Sequence, residues 1–366
     1  MTSNSRHIRK RLLRNTGALF GLTVISLSVL IAVFAYFLAP DGSPDANRII
    51  VEIGGRSPGF RQLFLLVKKE RQPPPVGFFH RLFFGREDPY DYIPINRMVP
   101  EGDSVIVEKY VDEGLAERRV YPASAVRGNS TLWPNRYGTT TQTFWLGTDK
   151  YGRDILSRLL IGVRVSLAVG LVTVLLSLTI GVLLGALAGY FRGRVDEIIL
   201  WLINVIWSIP TLLLVFAIML LLGKGFWQVF IAIGLTLWVN VARIVRGQVL
   251  AIREREFVEA ARALGYSHPR ILFRHILPNV MGPVWVVAAA NFASAIVIEA
   301  GLSFLGVGVQ PPQPSWGLMI KENYNFIITH NPMLALAPGL AIMLLVLAFN
   351  LLGNSLRDIL STRFTP

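Results

Sequence analysis

Glu256-Phe257-Val258-Glu259-Ala260-Ala261-Arg262-Ala263-Leu264-Gly265, running on to His275-Ile276-Leu277-Pro278, is a short charged stretch between two long apolar runs. Glu, Ala, Arg and Leu are strong helix formers, and Gly265 stands where such a helix would end, since glycine takes the left-handed conformation at no steric cost. At about 1.5 Å per residue, a helix of these ten positions is far too short to cross a bilayer. It is suited to lying on a membrane face, where a soluble protein can grip it. The runs on either side are too apolar for a soluble core, so the stretch reads as a polar helix between membrane spans.

Working outward, the flanking spans are expected at about 226–245 and 280–298, with the loop 246–278 between them. From Arg243 to Arg274 seven arginines stand against Glu254, Glu256 and Glu259. Lys and Arg collect on cytoplasmic loops, which places this loop inside. Further spans are expected at about 165–190, 198–222 and 335–352, with a first helix at 17–39; roughly 20 apolar residues suffice to cross. Pro210 is expected to kink the third span. Arg192 and Arg194 mark an inner turn, Lys224 a short outer one, and Arg357 and Arg363 follow the last span. The result is six spans with both termini cytoplasmic: a tail 1–16, helix 17–39, a segment 40–150, a core 151–355 and a tail 356–366. Residues 6–14 carry five Lys/Arg and no acid, which holds the N-terminal tail inside. A signal peptide would have a shorter apolar core and a small-x-small site before Pro40, so an uncleaved helix is expected.

Residues 40–150 change character, becoming polar and proline-bearing. Val105 to Val111 and Leu115 to Tyr121, joined by Asp112-Glu113-Gly114, predict a β-hairpin; Arg48 to Ile53 and Leu63 to Lys68 predict further strands. The segment is expected outside despite its basic residues, because long loops translocate regardless of charge. Asn129-Ser130-Thr131 matches a glycosylation sequon and carries no weight. Beyond it, Ile155, Leu156, Leu159 and Leu160 recur opposite Arg158, which predicts a helix at the outer interface. Gly181, Gly185 and Gly189 form a small-xxx-small row, which predicts close packing of a neighbouring backbone. Asn204, Asn240, Asn291 and Asn350 are polar groups within spans, open to pathway lining or to hydrogen bonding between helices. Glu299, at the outer edge of the hydrocarbon, is a functional candidate as an ionisable group, or a cap beside Ser303.

Composition closes other classes. The 366 residues are 52% hydrophobic and 16% charged, against about 25% charged in soluble domains. Net charge is +13, but no compact basic domain or aromatic-basic module points to nucleic acid. With no cysteine there is no disulfide, Cys-ligated zinc or Cys nucleophile. Five histidines lack metal-ligand spacing. No Gly-x-x-x-x-Gly-Lys-Ser/Thr loop occurs, and the one Gly-Lys pair is Gly223-Lys224, so the chain is not expected to bind ATP or any cofactor.

Glu259-Ala260-Ala261, Gly265 and Leu277-Pro278 resemble the EAA loop of ABC importer permeases. Phe273 to Asn279 narrows this to the C-type permease subunits of the dipeptide, oligopeptide and nickel importers. The general pattern has Ile two residues before the Leu of Leu-Pro; here that position is His275, with Ile276 after it. Leu146 to Arg158 and Glu299 to Gly317 resemble two further family signatures. The family's Met-Arg…Asp pattern in the third span is replaced by Leu200-Trp201 and Asn204, so no role is carried over there. The resemblance covers about 145–363 and, loosely, the first helix; the segment 40–145 is longer than is usual in the family.

The resemblance implies an all-α integral membrane protein with a six-helix type I importer core and a small β-containing extracytoplasmic insertion, in a bacterial plasma (inner) membrane. It implies a non-catalytic subunit working with two cytoplasmic ABC ATPase subunits, a B-type permease and an extracytoplasmic substrate-binding protein. Glu259, Ala260, Ala261 and Gly265 would dock the ATPase, and Glu299, Asn240 and Asn291 are pathway or gate candidates. The bland reading of the loop is an interfacial helix with a Glu259–Arg262 contact. Peptide is the expected cargo, with nickel or another small solute as the alternative. An ion-driven secondary transporter or channel would call for paired intramembrane acids or inverted broken repeats, and neither stands out. A membrane-anchored protein whose outer segment does the work is the other rival.

Overall fold

The computed structural model describes residues 14–126, 138–328 and 331–361. Most of the basic run 6–14, the 129–131 sequon and Arg363 lie outside them. The chain divides into two compact units: one within Met1–Val29, Ser166–Gln310 and Ala341–Pro366, the other within Leu30–Val165 and Pro311–Leu340.

Helices α1 (Thr16–Leu38), α3 (Ile155–Phe191), α6 (Phe226–Ile252), α8 (Leu277–Leu305) and α10 (Met333–Ser361) are long and apolar enough to cross a membrane. The span expected at 198–222 is two helices, α4 (Gly193–Trp207) and α5 (Thr211–Leu222), bent by 93°. The kink expected at Pro210 is thus a corner. Proline lacks the N–H that would continue the ladder and pushes the residue before it out of the helical region. Pro210 itself is extended, at φ −54° and ψ 127°, and starts α5. The separate interfacial helix expected around 155–160 is instead the first turns of the 37-residue α3.

In the first unit α3 and α6 touch backbone to backbone. A Cβ added at Gly181 would lie 2.5 Å from Val241 Cβ, one at Gly185 2.5 Å from the Ala242 carbonyl oxygen, and one at Gly189 2.8 Å from the Arg246 carbonyl oxygen. The small-residue row therefore has its neighbour, and it is α6. Ile199 and Ile203 of α4 pack on Trp238, Val239 and Ala242 of α6. Arg246 donates both Nε and Nη2 to Asp196, at 2.5 and 2.6 Å, joining α6 to α4 a second way. Gly185→Leu is expected to destabilise the protein by about 1–3 kcal/mol, the usual cost of overpacking. Thermal unfolding in detergent checks this, with Gly247→Leu, at an open position, as the control.

The second unit carries a five-stranded antiparallel sheet of order β4-β3-β2-β1-β5, formed by β1 (Phe60–Lys68), β2 (Tyr90–Glu101), β3 (Ser104–Asp112), β4 (Leu115–Pro122) and β5 (Thr139–Phe144). One face buries Phe64, Tyr110 and Phe144 with Ile50 and Ile53; the other buries Leu65, Ile95, Val105, Val107 and Val126. The strand expected at 48–53 is a 3₁₀ turn, Val51–Ile53. Ile50 and Ile53, three apart, both point inward, which a strand's alternation does not allow. Short helices α2 (Phe78–Phe84) and α9 (Trp316–Asn323) complete this unit, which reaches beyond the 40–150 segment to take in 311–340.

Candidate functional site

Helix α7 spans Glu256–Ala263. Glu256 and Glu259 lie in its first turn and Arg262 in its last, the charge order that the helix dipole favours. Its end is closed by two reverse hydrogen bonds: Tyr266 N–H donates to the Ala261 carbonyl at 3.2 Å, and Gly265 N–H to the Arg262 carbonyl at 2.9 Å. That closure needs a left-handed residue, and Gly265 sits at φ +75°. Val258 and Ala261, three apart, are buried with Val245, Val249, Ile271, Leu272 and Ile276. Glu259, Ala260 and Gly265 are exposed, so three of the four expected docking residues share the outer surface. Ala261 does not: helical spacing from Val258 turns it inward. Phe257 on the helix and Leu264 just past its end are also exposed, and the sequence reading does not include them in the site. For Phe257 the signal is its position next to the buried Val258, one residue out of phase; Leu264 follows Ala261 at the inward spacing, and it is exposed because the helix has ended before it. Glu259 and Arg262 form no ion pair among the described residues; Arg262 lies over the Tyr190 ring at 6.0 Å.

The base of α7 is held by polar contacts from α3 and the following loop. Arg253 donates to the Tyr190 carbonyl at 2.5 Å, and Arg192 pairs with Glu254 at 2.6 Å. Tyr190 Oη and His268 Nδ1 are 2.8 Å apart. Ile271–Ile276 forms a π-helical turn leading into α8, a feature common at functional sites. His275, the departure from the general loop pattern, stacks on Tyr266 with ring centroids 5.7 Å apart and an interplanar angle of 19°. Arg270 covers Tyr266 at 4.2 Å from its centroid. The surface of α7 thus stands on a braced platform.

The pathway candidates have separate surroundings. Asn291 of α8 is buried and donates to the Leu237 carbonyl at 3.3 Å and to Ser177 Oγ at 3.4 Å, linking three helices. Asn240 accepts from Trp207 Nε1 at 3.3 Å. Asn204 and Asn350 are exposed. Glu299 is buried and accepts from Ser303 Oγ at 2.6 Å, while Ser303 Oγ accepts the Val309 N–H at 3.0 Å. Glu299 therefore anchors the turn that ends α8, and Asn240 and Asn291 hydrogen-bond between helices.

The second unit holds a buried charge cluster that sequence reasoning did not assemble. Arg153 Nε donates to Asp149 Oδ2 at 2.6 Å and its Nη2 to Glu322 Oε2 at 2.8 Å. Arg158, expected on the polar side of an interfacial helix, is fully buried, with Nη2 3.6 Å from Glu322 Oε2. Asp154 caps α3 by accepting the Ser157 N–H at 2.9 Å, and Asp41 N–H donates to Ser157 Oγ at 2.8 Å. Burial pushes the Asp154 carboxyl above the usual carboxylate range, against the opposing pull of the Ser157 hydrogen bonds. The signal in the sequence was the density of charge between Asp149 and Arg158 at the edge of an apolar run; the acidic partner, Glu322, was out of reach.

The family profile described as "Binding-protein-dependent transport system inner membrane component" matches residues 181–366, and that described as "N-terminal TM domain of oligopeptide transport permease C" matches residues 3–50. The glutathione transport system permease protein GsiD of Pectobacterium atrosepticum is 43% identical over 219 residues, covering 60% of this chain and 72% of that protein. The dipeptide transport system permease protein DppC of Alkalihalophilus pseudofirmus is 41% identical over 229 residues, 63% of this chain and 75% of that one. The oligopeptide transport system permease protein OppC of Bacillus subtilis is 41% identical over 219 residues, 60% and 72%. A solved structure of the inward-facing MetNI methionine ABC transporter aligns at a TM-score of 0.47 and 19% identity, over 56% of this chain and 97% of that one. The chain belongs to the binding-protein-dependent transport system inner membrane components, as a C-type permease of the peptide ABC importer family.

Proposed function

We propose that this permease carries peptides and that α7 is its coupling helix. The observation that carries the reading is the division of α7 into a buried face, Val258 and Ala261, and an outer face of Glu259, Ala260 and Phe257, with Leu264 exposed just past its end. Its inner face is tied to the spanning helices, so a partner that moves the outer face moves them too. ATP closes a pair of cytoplasmic ATPase subunits; their surface cleft carries α7 with it; the rigid-body shift reopens the pathway on the other side. Hydrolysis belongs to that second polypeptide. Glu259 supplies acceptor oxygens to the cleft, Ala260 permits close approach, and Gly265 fixes where the helix stops. Relatives named for glutathione, dipeptides and oligopeptides support a peptide cargo. A binding protein outside the membrane selects it, and a second permease of the B type completes the pathway. The six-span count, with α4 and α5 as one broken span, both termini cytoplasmic and the sheet outside, belongs to the same reading.

Purification of the tagged chain from its native membrane in mild detergent, with mass spectrometry of what accompanies it, tests the assignment. A phosphate-loop ATPase is expected to co-purify and to be lost on Glu259→Lys. A folded chain with no ATPase would overturn it.

A further inference from the structure

Helix α2 reads Phe78-Phe79-His80-Arg81-Leu82-Phe83-Phe84, and its four phenylalanines are between 55% and 74% exposed. Four bare aromatic rings in seven residues are far from what a water-facing surface carries, and a patch of this kind marks an interaction site. Its place in the fold says with what. Phe78 packs on Phe37 in the last turn of α1, with ring centroids 5.5 Å apart. The Arg81 guanidinium lies 4.5 Å from the Phe37 centroid, and Arg164 Nη1 donates to the Leu82 carbonyl at 3.0 Å. These contacts fix α2 at the level where the apolar span Thr16–Leu38 ends. Phe34, Phe37 and Leu38 of that span are themselves exposed, so apolar side chains face outward on both sides of the Phe37–Phe78 contact.

We propose that α2 is a membrane-interface anchor, with its phenylalanines set among the acyl chains of the leaflet in which α1 ends. Aromatic rings and arginines are the residues that settle at that boundary. Arg81 is half-buried at the Phe37 ring and Arg86 is exposed just past the helix, so the anchor brings two guanidinium groups that pair well with lipid phosphates. Pro73-Pro74-Pro75, a stiff extended lead, delivers the chain from β1 to the helix. The sheet would then be held against the bilayer at two points, the end of α1 and α2, rather than swinging from one.

Because the chain has no cysteine, Phe79→Cys, Phe84→Cys and Leu115→Cys each accept one spin label. Leu115 lies on the far hairpin of the sheet and is exposed. The full chain is reconstituted in phosphatidylethanolamine–phosphatidylglycerol vesicles, and collision of each label with oxygen and with a water-soluble nickel chelate is measured. At 79 and 84 the ratio of oxygen to nickel collisions is expected to exceed that at 115 several-fold. Equal access to nickel at all three positions would overturn the proposal by placing α2 in water. Shielding of 79 and 84 from both reagents would also overturn it, since the rings would then be covered by protein. Phe79 and Phe84 are exposed, so neither replacement removes a core side chain.

Discussion

Gly265→Pro is expected to abolish ATP-driven uptake while the chain still reaches the membrane. Gly265 holds φ +75° and its N–H donates to the Arg262 carbonyl at 2.9 Å. Proline fixes φ near −65° and has no N–H, so it can neither hold the left-handed conformation nor make this bond, and the closure of α7 is lost. No atom lies within 4 Å of a Cβ at this position, so the damage is confined to the backbone of the loop. Glu259→Lys is the companion change. Both residues favour helix, and Glu259 is exposed, so stability is expected to stay within about 0.5 kcal/mol. Uptake is nevertheless expected to fall by about tenfold or more, equivalent to ~1.4 kcal/mol of lost coupling. Uptake by vesicles loaded with ATP, normalised to the amount of chain in the membrane, measures both. Wild-type uptake by both variants would remove α7 from the coupling role.

Glu322→Ala is expected to give the largest loss of stability. Glu322 Oε2 is shared by Arg153 at 2.8 Å and Arg158 at 3.6 Å. Arg153 retains Asp149, but Arg158 is fully buried, and among the described residues its guanidinium has no hydrogen-bond acceptor. Removing one member of a buried pair leaves an uncompensated charge and costs about 3–5 kcal/mol. The unfolding midpoint in detergent should drop accordingly. Adding Arg158→Met should recover much of the loss, because an apolar side chain of similar length needs no counter-charge. Recovery in the double variant separates a charge effect from a packing effect. An unchanged midpoint in Glu322→Ala would show that the cluster is not structural.

The five long apolar helices were legible because each carries an unbroken apolar stretch close to the roughly 20 residues that a bilayer crossing dictates. The C-terminal end of α7 was legible because Gly265 fits a left-handed position that a β-branched or bulky residue would strain. The inward turn of Ala261 follows from Val258 three residues before it, yet nothing in the sequence says which of two helical faces is down. The corner at Pro210 was legible as a bend but not as a right angle, since proline breaks the ladder without saying how far the two halves swing. In the sheet, β3 and β4 declared themselves by alternation about Gly114, whereas β2 carries Pro94 and Pro100, residues that argue against a strand. The Arg153–Glu322 pair joins positions 169 residues apart, and no local pattern reports a contact of that range.

Side chains are the compliant layer between packed helices: rotamers hop, gaps open and small displacements are absorbed. Gly181, Gly185 and Gly189 remove that layer from the α3–α6 contact and leave backbone against backbone over two turns. In the proposed coupling role, a push arriving at Arg253 and Glu254, where α6 hands over to α7, would act on α3 as well, through the contacts to Tyr190 and Arg192. The pair works as a stiff strut. In that proposed role, a seam of glycines would leave little of a stroke to be spent on local repacking between the two helices.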